Sequence, residues 1–172
     1  NAANSKLLGC FVPNHSCIDN AIHTAAGVEL RLACQELMQE QGEDETTGQA
    51  KMTKAYNLPS RYVLHTVGPI IYDEVTDLER QQLASSYEEC LNLAYEKGLR
   101  SLAFCCISTG EFRFPNEEAA KIAIETVLQF QKEHSDMVVI FNVFKDIDYT
   151  IYQALLKNQC FYIEIADGCN RQ

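Results

Sequence analysis

Three residues near the start of the sequence have the types and the spacing of metal ligands. Cys10, His15 and Cys17 form the pattern C-x4-H-x-C. Thiolate sulfur and imidazole nitrogen are the ligands that zinc prefers, and Pro13 and Asn14 favour a turn that brings the three together. Three protein ligands leave one position of a tetrahedral ion open, as in catalytic zinc sites. The spacing therefore indicates a candidate Zn2+ site.

This spacing is less specific than paired C-x2-C motifs, so a second interpretation stays open. Cys10 and Cys17 could be small apolar residues of the core, with His15 exposed to solvent. If a metal does bind, the sequence offers candidates for a fourth ligand in Asp19, His23 and Cys34. His23 and Cys34 are more simply explained as core residues.

A second loop, residues 108–114, has the features of an anion-binding site. It joins an apolar strand to a helix that begins near Pro115, so unpaired backbone N–H groups and the positive end of the helix dipole face the loop. Gly110 permits close approach of the backbone to a ligand. Because the formal net charge is −10, a bound diphosphate would depend on main-chain donors. An ordinary strand–helix turn with aromatic side chains in the core is the alternative.

The elements around these loops follow from hydrophobic periodicity. We predict helices over residues 18–41, 77–97, 116–134 and 148–158, and strands over 50–56, 62–67, 102–107 and 138–144. Residues 43–45 are acidic, which predicts a solvated loop. We expect His65 to be a strand residue with a satisfied hydrogen bond and Cys160 to be a core cysteine. Alternating strands and helices predict an α/β fold with a largely parallel sheet and ligands at the carboxyl ends of its strands. We predict one domain, residues 1–172.

Composition excludes several classes of protein. The chain has 14 Lys and Arg against 24 Asp and Glu with no basic cluster, which argues against nucleic acid as a partner. No apolar run approaches the roughly 18 residues of a membrane span, which argues against a membrane protein. Cys105 and Cys106 are adjacent in an apolar strand and would point to opposite faces, and we find no signal peptide. We therefore expect a reduced, cytoplasmic protein, with a cysteine-based redox protein as a rival hypothesis.

Several motifs in order resemble the macro domain family. They are NAANS at residues 1–5, IDNAIH at 18–23, GQAKMT at 48–53, YVLHTVGP at 62–69 and ISTG at 107–110. The glycine-rich stretch that usually follows NAAN is replaced here by residues 10–17. That replacement is similar to the zinc-containing branch of the family, whose members resemble hydrolases of protein-bound mono-ADP-ribose. By this resemblance Cys10, His15 and Cys17 are the zinc ligands.

The resemblance implies a three-layer α/β/α macrodomain with a mixed, largely parallel central sheet. We expect its N-terminal strands, and so an upstream part of the natural protein, to be absent from this sequence. Asn4 is implied to contact the distal ribose, and Asp19 to lie beside the reacting centre. ADP-ribose-binding positions are implied at Ala2, Ala3, Asn4, Ile18, Ser108, Thr109, Gly110, Glu111, Phe112 and Phe144.

The implied function is zinc-assisted hydrolysis that removes mono-ADP-ribose from proteins, modified in some cases by a sirtuin-type transferase. We hypothesise that Asp19 orients or deprotonates the attacking water while Asn4 fixes the sugar. The alternative is a reader, which binds ADP-ribose without cleavage and carries a structural zinc. Arg113 stands where the family generally has Gly, so the phosphate loop either turns differently or carries a cation.

Overall fold

Helices and strands alternate along the chain, as the periodicity predicts. The computed structural model describes residues 1–157 and the backbone of 163–167. In this part of the chain the elements, in order, are α1 (Ile18–Ala26), α2 (Val28–Gln41), β1 (Ala50–Lys54), β2 (Tyr62–Thr66), α3 (Asp77–Glu96), β3 (Ser101–Phe104), α4 (Asn116–Glu133), β4 (Val138–Val143), α5 (Asp146–Leu156) and β5 (Ile163–Asp167). No helix in the described ranges is both long enough and apolar enough to cross a membrane.

The strands pair in two sets. β1 and β2 are antiparallel, whereas β3, β4 and β5 are parallel in that order. The first residues of the chain run parallel to β2: the N–H of Thr66 donates to the carbonyl of Asn1 (3.0 Å), and the N–H of Ala3 donates to the carbonyl of Thr66 (2.9 Å). We predicted one central sheet, but within the described residues no ladder joins β2 to β3. This pairing places residues 1–5 at the carboxyl end of β2.

The predicted helix over residues 18–41 is two helices, because the chain breaks at Gly27. Gly27 has φ 90°, and the carbonyl of Ala26 accepts a hydrogen bond from the N–H of Asn57 instead of continuing the helix. A φ of 90° favours glycine at this position, and a Cβ on Gly27 would also lie 2.8 Å from the side-chain amide nitrogen of Asn57. Helical periodicity does not reveal the break, because it arises from a residue of a distant loop.

Other boundaries also differ from the prediction, most of them by one or two residues; β1, for example, ends at Lys54 rather than at residue 56. β3 ends at Phe104 rather than at residue 107, because the N–H of Ile107 donates to the hydroxyl of Tyr87 (3.2 Å) and not to a neighbouring strand. α5 begins at Asp146, two residues earlier than predicted. We did not predict β5, and the prediction that Cys160 is a core cysteine lies outside the described residues.

The core consists of two clusters of buried side chains. The larger lies among α3, α4, α5 and the parallel strands and includes Tyr87, Phe114 and Phe141. The smaller includes Leu7, Leu30 and other residues of α1, α2 and β2. Leu7 is fully buried with φ 56°, and burying it contributes about 2 kcal/mol, which offsets the left-handed backbone. The smaller cluster therefore fixes the loop that carries the candidate metal ligands.

The acidic loop at residues 43–45 was predicted to be solvated, and this is wrong for one residue. Glu45 is buried, its carboxylate lies 3.1 Å from the ammonium of Lys51, and its N–H donates to the carbonyl of Ser5. Asp44 pairs with Lys6 at 2.6 Å. A buried carboxylate needs a partner of opposite charge, and Lys51 supplies it. The loop thereby ties residues 5 and 6 to the end of α2.

Candidate functional site

The three predicted metal ligands converge on one point. The donor atoms of Cys10, His15 and Cys17 all lie within 4.8 Å of one another, and the Sγ of Cys10 is 3.3 Å from the Nδ1 of His15. Zinc bonds of about 2.0 Å to nitrogen and 2.3 Å to sulfur place two tetrahedral ligands about 3.5 Å apart. The donor types and their separation therefore fit a zinc ion, with little movement of the loop.

Asn20 and the start of α1 hold this metal loop, residues 10–17, in place. The side-chain amide of Asn20 donates to the carbonyls of Cys10 and Val12, each at 3.2 Å. Cys17 is the N-cap of α1, and its sulfur accepts from the N–H of Asn20 at 3.4 Å. One asparagine thus fixes both ends of the loop and brings the three ligands together.

Gly9 and His23 form the base of the metal loop. Gly9 has φ 84°, and a Cβ there would lie 2.8 Å from Cγ of the His23 ring. Cβ atoms do not approach other side chains so closely, so the ring leaves room only for glycine. The position of Cys10, the next residue, therefore depends on the imidazole of His23.

The surroundings give the two thiols different acidities. A hydrogen bond from the N–H of Val12, followed by one from His15, lowers the pKa of Cys10. Burial raises the pKa of Cys17. The hydrogen bonds to Cys10 and Glu111 raise the pKa of His15. Cys10 is accordingly the thiol that ionises more readily and the first candidate to bind a cation.

His15 also connects the metal loop to the second loop. Its Nδ1 faces Cys10, and its Nε2 lies 3.3 Å from the carboxylate of Glu111. A metal-binding histidine typically gives its second ring N–H to a carboxylate, which fixes the tautomer and the ring. The predicted metal site and the predicted anion site therefore meet at one edge of the molecule.

The second loop exposes a run of backbone N–H groups. The N–H groups of Arg113 and Phe114 donate inside the loop, to the carbonyls of Gly110 (3.1 Å) and Ser108 (2.9 Å). Those of residues 108–112 donate to no other group in the described part of the chain. Ser108 has φ 64°, and its buried hydroxyl has no hydrogen-bond partner there. A loop of free donors beside a helix N-terminus is suited to binding phosphate.

Asp19 lies in the first turn of α1 between the side chains of Asn1 and His23. The side-chain amide of Asn1 donates to its Oδ1 at 2.9 Å, and the Nε2 of His23 is 3.6 Å from the same atom. Asp19 and His23 are both buried, and burial lowers the pKa of His23 so that its ring is neutral. The carboxylate is therefore held in one orientation by neutral groups.

A buried group of His23, Cys34 and His65 also brings metal-ligand types within 4.8 Å of one another. The amide of Asn1 donates to the carboxylate of Asp19, so the atom near Nδ1 of His65 (3.2 Å) is a nitrogen, and Nδ1 must accept from it. The proton of His65 then sits on Nε2 and faces Thr53 at 3.0 Å.

A protonated nitrogen cannot bind a metal, so this group is a hydrogen-bonded core. Burial raises the pKa of Cys34 to about 11, which further disfavours metal binding there. The sequence offered Asp19, His23 and Cys34 as candidates for a fourth metal ligand. His23 and Cys34 belong to this hydrogen-bonded core and therefore not to the candidate metal site. The prediction that His65 is a strand residue with a satisfied hydrogen bond is confirmed.

The comparison with known families agrees with the order of the motifs. The macro domain family matches residues 1–123. The chain belongs to the macro domain family. Over 157 residues it is 57% identical to a protein of Treponema medium named "Protein-ADP-ribose hydrolase", covering 91% of this chain and 60% of that protein. The chain therefore spans only part of the length of such curated relatives.

Two further relatives are a macrodomain whose structure contains ADP and a protein whose name combines two activities. The macrodomain of Oceanobacillus iheyensis with ADP has a TM-score of 0.83 and 43% identity, covering 91% of this chain and 80% of that chain. A Fusarium oxysporum f. sp. cubense protein named "Probable bifunctional ADP-ribose hydrolase/ADP-ribosyltransferase" is 45% identical over 166 residues, covering 91% of this chain and 28% of that protein.

The remaining residues that were predicted to bind ADP-ribose lie on several different segments of this macro domain. Asn4 is half-buried, its Oδ1 accepts from the N–H of Lys6 (3.0 Å), and its amide lies near the carbonyl of Gly9 (3.4 Å). Ala2 and Ala3 lie on the segment beside β2, and Ile18 begins α1. Phe144 follows β4 and is 70% exposed. These roles in ADP-ribose binding stay predictions.

Sequence reasoning did not predict the contacts that Asn1, Asn20 and His23 make around the metal loop and Asp19. His23 was expected to be a core residue or a fourth metal ligand; it is buried, its Nε2 lies 3.6 Å from Oδ1 of Asp19, and its ring packs against Gly9. His23 follows Asp19 by four residues on one helix, and this spacing predicts that the two side chains lie next to each other. No local pattern identifies Asn20, because its role depends on the folded path of the metal loop.

Proposed function

We propose that this macro domain hydrolyses the bond between mono-ADP-ribose and a modified protein. The observation that carries the proposal is the contact between His15 and Glu111, 3.3 Å, which joins the metal triad to the phosphate loop. A ligand with its diphosphate on residues 108–112 would then extend its distal ribose toward the metal loop and Asp19. The name of the Treponema relative and the ADP in the Oceanobacillus macrodomain support this assignment.

The phosphate loop would bind the diphosphate through its backbone. The free N–H groups of residues 108–112 and the unpartnered hydroxyl of Ser108 are the donors, and the N-terminus of α4 adds a favourable dipole. Phe144, exposed at the end of β4, would supply an apolar face for the adenine.

The metal triad would hold one zinc ion through Sγ of Cys10, Nδ1 of His15 and Sγ of Cys17. When bound, zinc would supply positive charge and an open ligand position next to the distal ribose. Glu111 would fix the ring of His15 by accepting a hydrogen bond from its Nε2–H. Asn4 would orient the sugar through its side-chain amide.

Asp19 would act on the attacking water. Asn1 donates to its Oδ1 and the Nε2 of His23 lies 3.6 Å from the same atom, so its other oxygen, Oδ2, is the one that would accept a hydrogen bond from water near the anomeric carbon. Accepting that proton as the bond to the protein breaks is general-base catalysis. The neutral His23 would keep the carboxylate oriented throughout.

A transferase must supply the modified protein, and a sirtuin-type ADP-ribosyltransferase is our candidate. The Fusarium relative, whose name combines hydrolase and transferase, supports this pairing. Free thiols at all six described cysteines support the proposal of a reducing, cytoplasmic location. We further propose that the two sets of strands belong to one mixed sheet in an α/β/α arrangement.

Release of labelled ADP-ribose from a modified protein tests the proposal. The zinc-loaded protein should release the label catalytically, while the Cys10→Ala, His15→Ala and Cys17→Ala variants should each lose turnover. Binding of ADP-ribose without release of label would make the protein a reader with a structural zinc. Full activity of metal-free Cys17→Ala would contradict the role of zinc and leave the hydrolase assignment standing.

A further inference from the structure

We propose that Cys10 and Cys17 are also a modification site: a peroxide converts the pair to a disulfide and thereby expels the metal. This inference rests on the proposed function only for its consequence, the loss of hydrolysis. The site itself follows from the arrangement of the two sulfurs and from their access to solvent.

The two sulfurs are close enough to bond after a small movement. They lie within 4.8 Å of each other, and a disulfide of about 2.05 Å requires an approach of at most about 2.8 Å. The loop between them already turns back, because the N–H of His15 donates to the carbonyl of Val12. Rotation of the Cys10 side chain toward the helix N-cap at Cys17 would close the gap.

Cys10 and Cys17 differ from the fully buried cysteines in their exposure to solvent. Cys10 and Cys17 are half-exposed, whereas Cys34 and Cys90 are buried. Cys105 and Cys106 are also half-exposed, but they are sequence neighbours at the end of a strand. A small oxidant can therefore reach Cys10 and Cys17, and a sulfenic acid on one has the other thiol within reach.

The reaction balances with a peroxide as the oxidant. One thiolate attacks the O–O bond, which gives a sulfenic acid and releases hydroxide. The second thiolate then attacks that sulfur, forms the S–S bond and displaces a second hydroxide. Two electrons pass from the two sulfurs to the peroxide, and the disulfide no longer offers the two thiolates that would hold a zinc ion.

Oxidation of the two cysteines would stop hydrolysis of protein-bound ADP-ribose, and reduction would restore it. Protein-bound ADP-ribose would then accumulate while peroxide is present. A dithiol reductant together with zinc would restore the site, because a disulfide is reversible whereas sulfinic acid is not.

Peptide mapping after peroxide treatment of the reduced, zinc-loaded chain tests the proposal. Trypsin cuts after Lys6 and Arg31, so both cysteines lie in the single peptide 7–31. We expect this peptide to lose two hydrogens and to resist alkylation, with one zinc released to a chromogenic chelator per disulfide. Dithiothreitol with zinc should reverse both changes. The control variant Cys105→Ser/Cys106→Ser should behave identically.

Two results would overturn the proposal. One is addition of two or more oxygens to peptide 7–31 in place of the loss of two hydrogens. The other is oxidation confined to the peptide containing Cys105 and Cys106. The readout is a mass, so a zinc-independent hydrolase would refute the role of zinc in the proposed function without affecting this result.

Discussion

At the scale of single residues, the site depends on polar groups whose orientation is fixed before any ligand binds. Asp19 receives contacts from Asn1 and His23 on one oxygen, and both partners are neutral. Ser108 is the opposite case, since its buried hydroxyl has no partner in the described residues. Substitutions of these two residues should therefore have different effects: a change at Asp19 should lower turnover, and a change at Ser108 should weaken ligand binding.

Replacing Asp19 with asparagine should remove the base and keep the shape of the site. We expect kcat for release of ADP-ribose to fall about a hundredfold or more, because general-base catalysis contributes about that much. The affinity for free ADP-ribose, measured by calorimetry, should be largely retained. Glu43→Gln, an exposed carboxylate outside the site, is the control. A variant with normal kcat would show that another group activates the water.

Ser108→Ala should weaken ligand binding without weakening the fold. The hydroxyl has no partner in the free protein, so its removal leaves the free energy of unfolding unchanged or slightly raised. If it donates to the diphosphate, its loss should reduce ADP-ribose affinity by about 1 kcal/mol, roughly fivefold. Denaturant unfolding and calorimetry measure the two quantities. A loss of stability with unchanged affinity would assign the hydroxyl a structural role.

At the scale of elements, the two functional loops are held by strained backbone and by distant side chains. Of the non-glycine residues with positive φ in the described chain, Leu7, Asn14, Ser108 and Arg113 lie in or beside these loops. Such conformations persist only where the surroundings enforce them. Burial of Leu7, the Asn20 hydrogen bonds and the ring of His23 provide that enforcement for the metal loop.

Gly9→Ala tests the contact between the metal loop and α1. Both Gly9 (φ 84°) and Gly42 (φ 79°) are in the left-handed region, but a Cβ meets the His23 ring only at Gly9. We expect Gly42→Ala to lower the free energy of unfolding by about 1 kcal/mol and Gly9→Ala by about 2–3 kcal/mol, with reduced zinc content. Equal losses in the two variants, measured by urea unfolding, would contradict the role of the ring.

The sequence predicts the elements better than it predicts their breaks and contacts. Periodicity located the helices and most strand ends, and the C-x4-H-x-C spacing located a triad that converges in the structure. It did not predict the break at Gly27, which depends on Asn57, or the burial of Glu45, which depends on Lys51. In each failure a partner comes from another segment of the chain, and the local signal that was available is Gly27 itself, a residue type that commonly ends helices.

At the scale of the whole molecule, a formal charge of −10 restricts how an anion can bind. The long-range field repels a diphosphate, and the phosphate loop offers backbone N–H groups in place of cations. Arg113 is the exception, an exposed cation with φ 60° at a position where glycine is expected from the family. The salt dependence of the ADP-ribose affinity distinguishes binding by backbone N–H groups from binding by the charge of Arg113.

Raising the salt concentration from about 50 to about 200 mM should leave ADP-ribose affinity unchanged or slightly increased, because salt screens the net repulsion and neutral donors release no counterions. Calorimetry at the two concentrations measures this. The Arg113→Ala variant should show the same salt dependence. A marked fall in affinity with salt that disappears in Arg113→Ala would show that Arg113 neutralises the diphosphate.

Anomalous scattering at the zinc edge, from crystals soaked with ADP-ribose, tests most directly whether metal and sugar share one site. We predict a single strong peak bonded to Cys10, His15 and Cys17, with the distal ribose next to its open position and the diphosphate on residues 108–112. No peak at the triad, or a zinc there with the sugar bound elsewhere, would contradict the account.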